Sequence, residues 1–146
     1  MKPRNKSAAA PLLHRMIIYH NPKCSKSRQA LSLLRANGIE PEVVDYLKQP
    51  LDTERIRDLI GMLGIPPHDL LRTKEPPYKK LKLSPSSTTE EIAKGIAENP
   101  ILLERPVVVC GKMAIIGRPP DRVLSLLRKS RRKSVTSGKA GGLNDY

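Results

Sequence analysis

The sequence predicts an α/β fold with a mixed four-stranded sheet. Four short segments, at residues 16–20, 42–47, 106–110 and 113–116, have the length and the β-branched content of strands. An amphipathic helical segment separates the first two strands, and another follows the last strand. The predicted order is therefore β-α-β, then a helical insert, then β-β-α.

Capping residues mark the ends of the predicted helices. The first helix should stop at Asn37-Gly38, a pair that favours a helix C-terminus. Asp52 can cap the second helix, and Gly64 should end it. Apolar residues at i, i+3, i+4 and i+7 within that helix give it one buried face.

The remaining connections are predicted from turn and capping signals. Pro66-Pro67 should open a short helical piece that runs to residue 72, and residues 73–78 are expected to form a loop. The segment at residues 88–91, Thr-Thr-Glu-Glu, is a capping-box pattern and should begin another helix. Gly111-Lys112 should join the last two strands as a hairpin, and Pro119-Pro120 suits the start of the last helix.

This layout resembles the thioredoxin-like fold. In this chain a helical insert lies between the βαβ and ββα halves of that fold. The 146 residues are enough for one domain with its own core. The 2 cysteines argue against a disulfide framework and favour a reducing, cytoplasmic compartment. The apolar runs are too short to span a membrane.

The charge is concentrated at the two ends of the chain. The formal net charge is +13, and more than half of it lies in residues 1–14 and 128–146. We expect residues 1–14 to be a flexible basic extension, residues 15–128 to be the thioredoxin-like domain, and residues 129–146 to be a disordered basic tail. With four Tyr and no Phe or Trp, the composition argues against aromatic stacking platforms, so nucleic-acid binding is not favoured.

Cys24 is the main candidate for chemistry. It lies where the first strand turns into the first helix, and the free N–H groups of a helix N-terminus favour an anion or a thiolate. Lys23, Lys26 and Arg28 add positive charge around it. Cys110 follows three valines in a strand and is expected to belong to the core.

Four segments carry a resemblance to a known family. The string His-Asn-Pro-x-Cys-x-x-Ser-Arg at residues 20–28, together with residues 70–74, 99–106 and 116–119, resembles the glutaredoxin-coupled arsenate reductase family. The form of residues 24–28 and 116–120 is closest to a less characterised branch of that family. The resemblance covers about residues 16–127 and leaves both tails outside.

The resemblance implies an enzyme, its site and its partners. Cys24 would be the nucleophile, Arg72, Arg105 and Arg118 would bind arsenate, and Pro106 would be a cis proline beside the site. Cys24 would attack arsenate, glutathione would act as co-substrate, and glutaredoxin would take up the mixed disulfide by thiol exchange. No metal or bound cofactor is expected, and a monomer is expected.

The supporting residues of the motif have alternative interpretations. Ser27 either packs within the first helical turn or, as we favour, hydrogen-bonds the Cys24 sulfur. His20 is either a structural residue at the strand end or an influence on the charge of Cys24. Arg28 can be simply a surface charge.

Two other classes of function compete with arsenate reduction. A transcription regulator resembling the Spx type shares this fold and binds RNA polymerase, and the basic tails would suit such a partner. Against it, Ser27 replaces the second cysteine of the usual Cys-x-x-Cys switch, and all three arginines are retained. A related thiol oxidoreductase with another substrate, and nucleic-acid binding through the tails alone, are the remaining alternatives.

Overall fold

A computed structural model of the chain describes residues 15–128. The extension predicted at residues 1–14 and the tail predicted at residues 129–146 lie outside the described residues. Among residues 15–128, no helix combines the length and the apolar character needed to cross a membrane.

Four strands form one mixed sheet in the order β2-β1-β3-β4. The strands are β1 (Met16–His20), β2 (Glu42–Asp45), β3 (Val107–Cys110) and β4 (Met113–Ile116). β1 runs parallel to β2 and antiparallel to β3, and β3 and β4 form the predicted antiparallel hairpin. The mixed four-stranded sheet predicted from the sequence is therefore confirmed.

β2 is shorter than predicted because Asp45 turns the chain. Its carboxylate accepts a hydrogen bond from the Leu47 amide at 3.1 Å, and its carbonyl accepts one from the Gln49 amide at 2.8 Å. An aspartate that bonds the backbone two residues ahead initiates a turn, which ends the strand before residue 46.

Helices cover both faces of the sheet and form the insert. They are α1 (Ser25–Ala36), α2 (Thr53–Leu63), α3 (Pro76–Lys80), α4 (Thr89–Glu98) and α5, described over residues 123–128. Short 3₁₀ turns occupy Pro67–Leu70, Pro100–Leu102 and Pro120–Arg122. Because of the last of these turns, the final helix begins at residue 123 and not at Pro119-Pro120, its predicted start.

The predicted caps are present. The Asp52 side chain accepts a hydrogen bond from the Arg55 amide at 2.8 Å, and Gly64 ends α2 in the left-handed conformation with φ 63°. Thr88 and Glu91 form the reciprocal capping box of α4. These local contacts fix where the helices of the insert begin and end.

The loop predicted at residues 73–78 was wrong in its second half. α3 begins at Pro76, directly after Glu75. Proline is favoured at the first position of a helix because its missing N–H would have no intrahelical acceptor there. Tyr78 on α3 then bonds His68 across 2.8 Å between the phenol oxygen and Nε2, which ties this short helix to the preceding 3₁₀ turn.

Alternate residues of the central strands fill a separate core on each face of the sheet. Ile18 and Val108 pack with α1 and α5, whereas Tyr19, Val107 and Val109 pack with α2 and α4. In the β1–β3 register Tyr19 lies opposite Val107. The loop that follows β1 is therefore adjacent to the segment that enters β3.

Candidate functional site

The N-terminus of α1 presents Cys24 and a set of free amides. Cys24 is the N-cap residue, it is 9% exposed, and its side chain makes no capping hydrogen bond. The first intrahelical bond is from the Arg28 amide to the Cys24 carbonyl at 3.0 Å. The amides of Ser25, Lys26 and Ser27 therefore have no acceptor within the helix, and they favour an anion beside the sulfur.

Hydrogen bonds fix the loop that carries Cys24. The Asn21 carbonyl accepts the Cys24 amide at 2.9 Å, and its side-chain oxygen accepts the Lys23 amide at 2.9 Å. Arg28 donates from Nη1 to the Pro22 carbonyl at 2.8 Å. Arg28 thus closes the loop, which is more than the surface charge considered from the sequence.

Ser27 is oriented differently from the favoured prediction. It is fully buried, and its Oγ lies 2.6 Å from His20 Nδ1 and accepts the Asn21 amide at 3.1 Å. The predicted hydrogen bond to the Cys24 sulfur is replaced by these two contacts. The sequence places Ser27 one helical turn from Cys24 but does not specify which way the hydroxyl points.

His20 supports the same loop as a neutral side chain. It is 6% exposed, and burial lowers its pKa below the ordinary value, although Asp45 opposes the shift. Arg35 and Arg28 lower the pKa further. His20 therefore acts on the Cys24 loop through Ser27, as a hydrogen-bonding partner without charge.

Arg118 is the arginine that reaches the sulfur. Its Nη1 lies 3.9 Å from Cys24 Sγ and 3.3 Å from the Arg105 carbonyl. The peptide bond after it, Arg118–Pro119, is cis, as is Arg105–Pro106. The structure thus brings Cys24, Arg105 and Arg118 to one place.

Two guanidinium nitrogens of Arg105, Nε and Nη1, are buried without a hydrogen-bond partner among the described residues. Buried donors are almost always paired, and a charged one left unpaired is costly. These atoms therefore mark a position where an anion would be stabilised.

Arg72 joins the cluster through a two-stranded bridge. The Arg72 amide donates to the Leu102 carbonyl, and the Glu104 amide donates to the Leu70 carbonyl, each at 2.8 Å. Arg72 Nη1 pairs with Glu75 at 3.0 Å. Its Nε lies 3.9 Å from Glu104 Oε1, so the side chain faces the segment that carries Arg105.

Two residues of this site were missed from the sequence. Glu104 Oε1 lies 3.9 Å from Nε of both Arg72 and Arg118, and burial raises the pKa of Glu104. Tyr46 is 1% exposed, and its pKa is raised mainly by burial, with Arg72 opposing and Cys24 adding to the shift. Adjacency to Arg105 was the available signal for Glu104, whereas nothing local marked Tyr46.

Cys110 lies away from this cluster. It is buried in the core on the α1 side of the sheet, as predicted, and it is opposite Met16 at the other end of β1 from His20. Neither Cys24 nor Cys110 is part of a disulfide bond. Of the two cysteines, Cys24 alone therefore belongs to this cluster.

An open cleft of about 710 Å³ adjoins the site. Its walls are one side of α1, including Ser25 and Arg28, and the segment of residues 119–121. Ser25 follows Cys24 in the chain and Pro119 follows Arg118, so two residues that line the cleft are direct neighbours of two residues of the site. It does not include Arg72 or Arg105 among its lining residues.

Comparison with known proteins identifies the family. The ArsC family model matches residues 19–126, which include Cys24 and the three arginines. The chain belongs to the ArsC family. The solved arsenate reductase from Vibrio cholerae superimposes with a TM-score of 0.73 at 42% identity, covering 77% of this chain and 97% of that one. The predicted thioredoxin-like fold is thereby confirmed.

Curated relatives match this ArsC-family chain over nearly their whole length. The arsenate reductase of Neisseria meningitidis serogroup A is 42% identical over 112 residues, 75% of this chain and 96% of the relative. An Escherichia coli K12 protein described as uncharacterized, YfgD, is 51% identical over 112 residues, 75% of this chain and 94% of the relative.

Proposed function

We propose that the chain is an arsenate reductase that uses glutathione and glutaredoxin as its reducing partners. The observation that carries the proposal is the pair of buried, unpartnered nitrogens of Arg105, Nε and Nη1, in a residue that Arg118 contacts, while Arg118 also contacts the Cys24 sulfur. Relatives at about 40% identity are named arsenate reductase, which supports this oxyanion over others.

Arsenate fits the donors that surround Cys24. A tetrahedral oxyanion needs N–H groups from several directions, and arginine supplies them in forked pairs. Arg72, Arg105 and Arg118 come from three separate segments, and the amides at the start of α1 supply a fourth direction. We assign the three arginines as the arsenate ligands on this basis.

The first chemical step uses the Cys24 thiolate. Its sulfur attacks arsenic, a sulfur–arsenic bond forms, and one arsenic–oxygen bond breaks with loss of water after protonation of the leaving oxygen. Arsenic remains pentavalent at this stage. Arg118 lies against the sulfur and would stabilise both the thiolate and the negative charge of the adduct.

Reduction requires two electrons from external thiols. A glutathione thiol adds to the arsenic adduct, and a glutaredoxin thiolate then attacks the glutathione sulfur. The sulfur–arsenic bond to glutathione breaks, its electron pair stays on arsenic, and the glutathione sulfur leaves as a mixed disulfide with glutaredoxin. Water then adds to the arsenic(III) as the Cys24 sulfur–arsenic bond breaks, which releases arsenite and returns Cys24 to a thiolate. This scheme needs no second enzyme thiol, in keeping with Ser27 beside Cys24 and with Cys110 at the far end of β1.

The cleft beside Cys24 suits glutathione as the co-substrate. It begins at Ser25 and contains both a cationic side chain, Arg28, and an anionic one, Asp121. Glutathione carries carboxylates and an ammonium group, so both charges have counterparts. Because glutathione is kept reduced in the cytoplasm, we place the reaction there.

A coupled assay tests the proposal. Purified full-length protein, glutathione, glutaredoxin and glutathione reductase should consume NADPH only when arsenate is added, and Cys24→Ser should abolish this consumption. Cys110→Ser is the matched control and should retain most of the activity. A folded wild-type protein that shows no arsenate-dependent consumption, yet has an alkylatable Cys24, would contradict the proposal and favour another thiol reaction.

A further inference from the structure

We propose that Glu104 is a resident counter-charge that competes with the substrate anion for Arg72 and Arg118. The inference rests on the proposed anion site and concerns how its affinity is set. Glu104 Oε1 lies 3.9 Å from Nε of each arginine and accepts the Arg105 amide at 3.2 Å. One carboxylate oxygen thus contacts all three arginine residues.

The distances indicate a loose association. A charge-assisted N–H···O bond is about 2.7–2.9 Å long, so neither arginine is held by Glu104 as tightly as Arg72 is held by Glu75 at 3.0 Å. The Nε atoms of Arg72 and Arg118 face Glu104 at 3.9 Å, which is beyond hydrogen-bond distance. The Nε of each guanidinium can therefore turn toward an incoming anion, which would replace Glu104 there, while Glu75 remains the closer partner of Arg72.

Glu104 is placed where its charge has the most effect. Its side chain is 25% exposed, in the same range as the 27% of Arg72, so solvent screens the pair only in part. Burial raises the pKa of Glu104, while Arg118 and Arg72 oppose that shift. Tyr46 also senses the Glu104 charge, and it stays neutral because burial raises its pKa.

Two consequences follow for anion binding. Removing the carboxylate charge should tighten binding, because the arginines lose a competitor while the uncharged replacement keeps the oxygen that accepts the Arg105 amide. Protonation of Glu104 in the wild type should do the same. Anion affinity should therefore rise as the pH falls toward the range in which Glu104 is protonated.

Sulfate is a suitable probe because it is tetrahedral, unreactive and dianionic between about pH 5 and about pH 8. Its affinity can be measured from its protection of Cys24 against iodoacetamide, followed on the Cys24 peptide by mass spectrometry. Each rate is divided by the rate without sulfate at the same pH, so the reactivity of the thiol itself cancels. This readout does not depend on turnover.

Glu104→Gln is the test variant, and Glu75→Gln is the matched control, since Glu75 contacts Arg72 alone among the three arginines. We expect Glu104→Gln to bind sulfate about tenfold more tightly at neutral pH and to lose most of the rise in affinity at lower pH. Glu75→Gln should keep the wild-type pH dependence. In turnover, Glu104→Gln should lower KM for arsenate more than it changes kcat.

The outcomes separate the two proposals. Protection by sulfate in the wild type that is equal or weaker in Glu104→Gln, with an unchanged pH dependence, would overturn the role of Glu104 alone. No protection by sulfate in the wild type at any concentration would overturn the anion site, and with it the proposed function. Circular dichroism and urea unfolding of each variant establish that it is folded.

Discussion

Arg118 Nη1 lies 3.9 Å from Cys24 Sγ, although 94 positions separate the two residues in the chain. The contact depends on how the segment before Arg118 packs. The Gly117 amide donates to the Pro106 carbonyl at 2.9 Å, which holds that segment against the loop carrying Arg105. The position of Arg118 is thus fixed by packing between distant segments.

Gly117→Ala should disturb this packing. A Cβ at Gly117 would lie 3.1 Å from Pro106 Cγ and 3.2 Å from Val123 Cγ1, closer than ordinary contacts. We expect a loss of about 1–3 kcal/mol in the free energy of unfolding, measured by urea denaturation, and slower alkylation of Cys24 as Arg118 shifts. Gly61→Ala is the control: it lies within α2 with open space around its Cβ position and should stabilise by about 0.5–1 kcal/mol. Equal effects would contradict the packing argument.

Arg105→Met should weaken anion binding and increase the free energy of unfolding. The wild-type guanidinium has buried N–H donors without partners. Methionine can fill the space of the aliphatic part of the arginine side chain, and it has no N–H donor to leave unpaired. Without added anion, we expect the variant to gain about 1 kcal/mol in the free energy of unfolding.

Added sulfate provides the second half of the Arg105 test. It should raise the melting temperature of the wild type, since a ligand that binds only the folded state stabilises it, and should do so much less in Arg105→Met. Arg57→Met removes an exposed arginine paired with Glu90 and should change neither quantity by much. An Arg105→Met protein with the full response to sulfate would contradict the assignment.

His20 should make the fold less stable in mild acid. Burial lowers its pKa, so the unfolded chain binds a proton more readily than the folded one. Its contribution is fully present above the ordinary histidine pKa of about 6.5 and is lost as the pH falls through the lower folded value. Between about pH 7 and pH 5, urea unfolding should show a smaller loss of stability for His20→Asn than for the wild type. Identical slopes would show that His20 is not responsible.

Ser27→Ala should destabilise the loop that carries Cys24. It leaves His20 Nδ1 and the Asn21 amide without the hydroxyl that both contact, at a cost of about 1–3 kcal/mol. A double-mutant cycle with His20→Ala should give a coupling energy of about 1 kcal/mol. Ser86→Ala, at an exposed hydroxyl, should cost less than about 0.5 kcal/mol. Strict additivity of the Ser27 and His20 changes would contradict the contact.

The elements predicted best were those defined by local signals. The first strand, the hairpin and the caps at Asp52, Gly64 and Thr88 follow from residues close in sequence, and the structure places them as predicted. The prediction failed where two local rules conflict. Pro76-Pro77 marks a loop in many sequences, but after Glu75 it begins a helix.

The candidate site was predicted only in part because its contacts are tertiary. The family resemblance indicated Cys24 and the three arginines, and the structure brings them together. The direction of the Ser27 hydroxyl and the position of Glu104 between two arginines depend on how separate segments pack. No spacing in the sequence encodes those directions.

The central claim is that Arg72, Arg105 and Arg118 hold the oxyanion against Cys24, and the steady-state kinetics of Arg105→Ala test it most directly. In the coupled assay, kcat/KM for arsenate should fall by about 100-fold or more, because a charged ligand of the anion is lost, while Arg57→Ala keeps the wild-type value. An Arg105→Ala protein that is folded and reduces arsenate with unchanged kcat/KM would contradict the account.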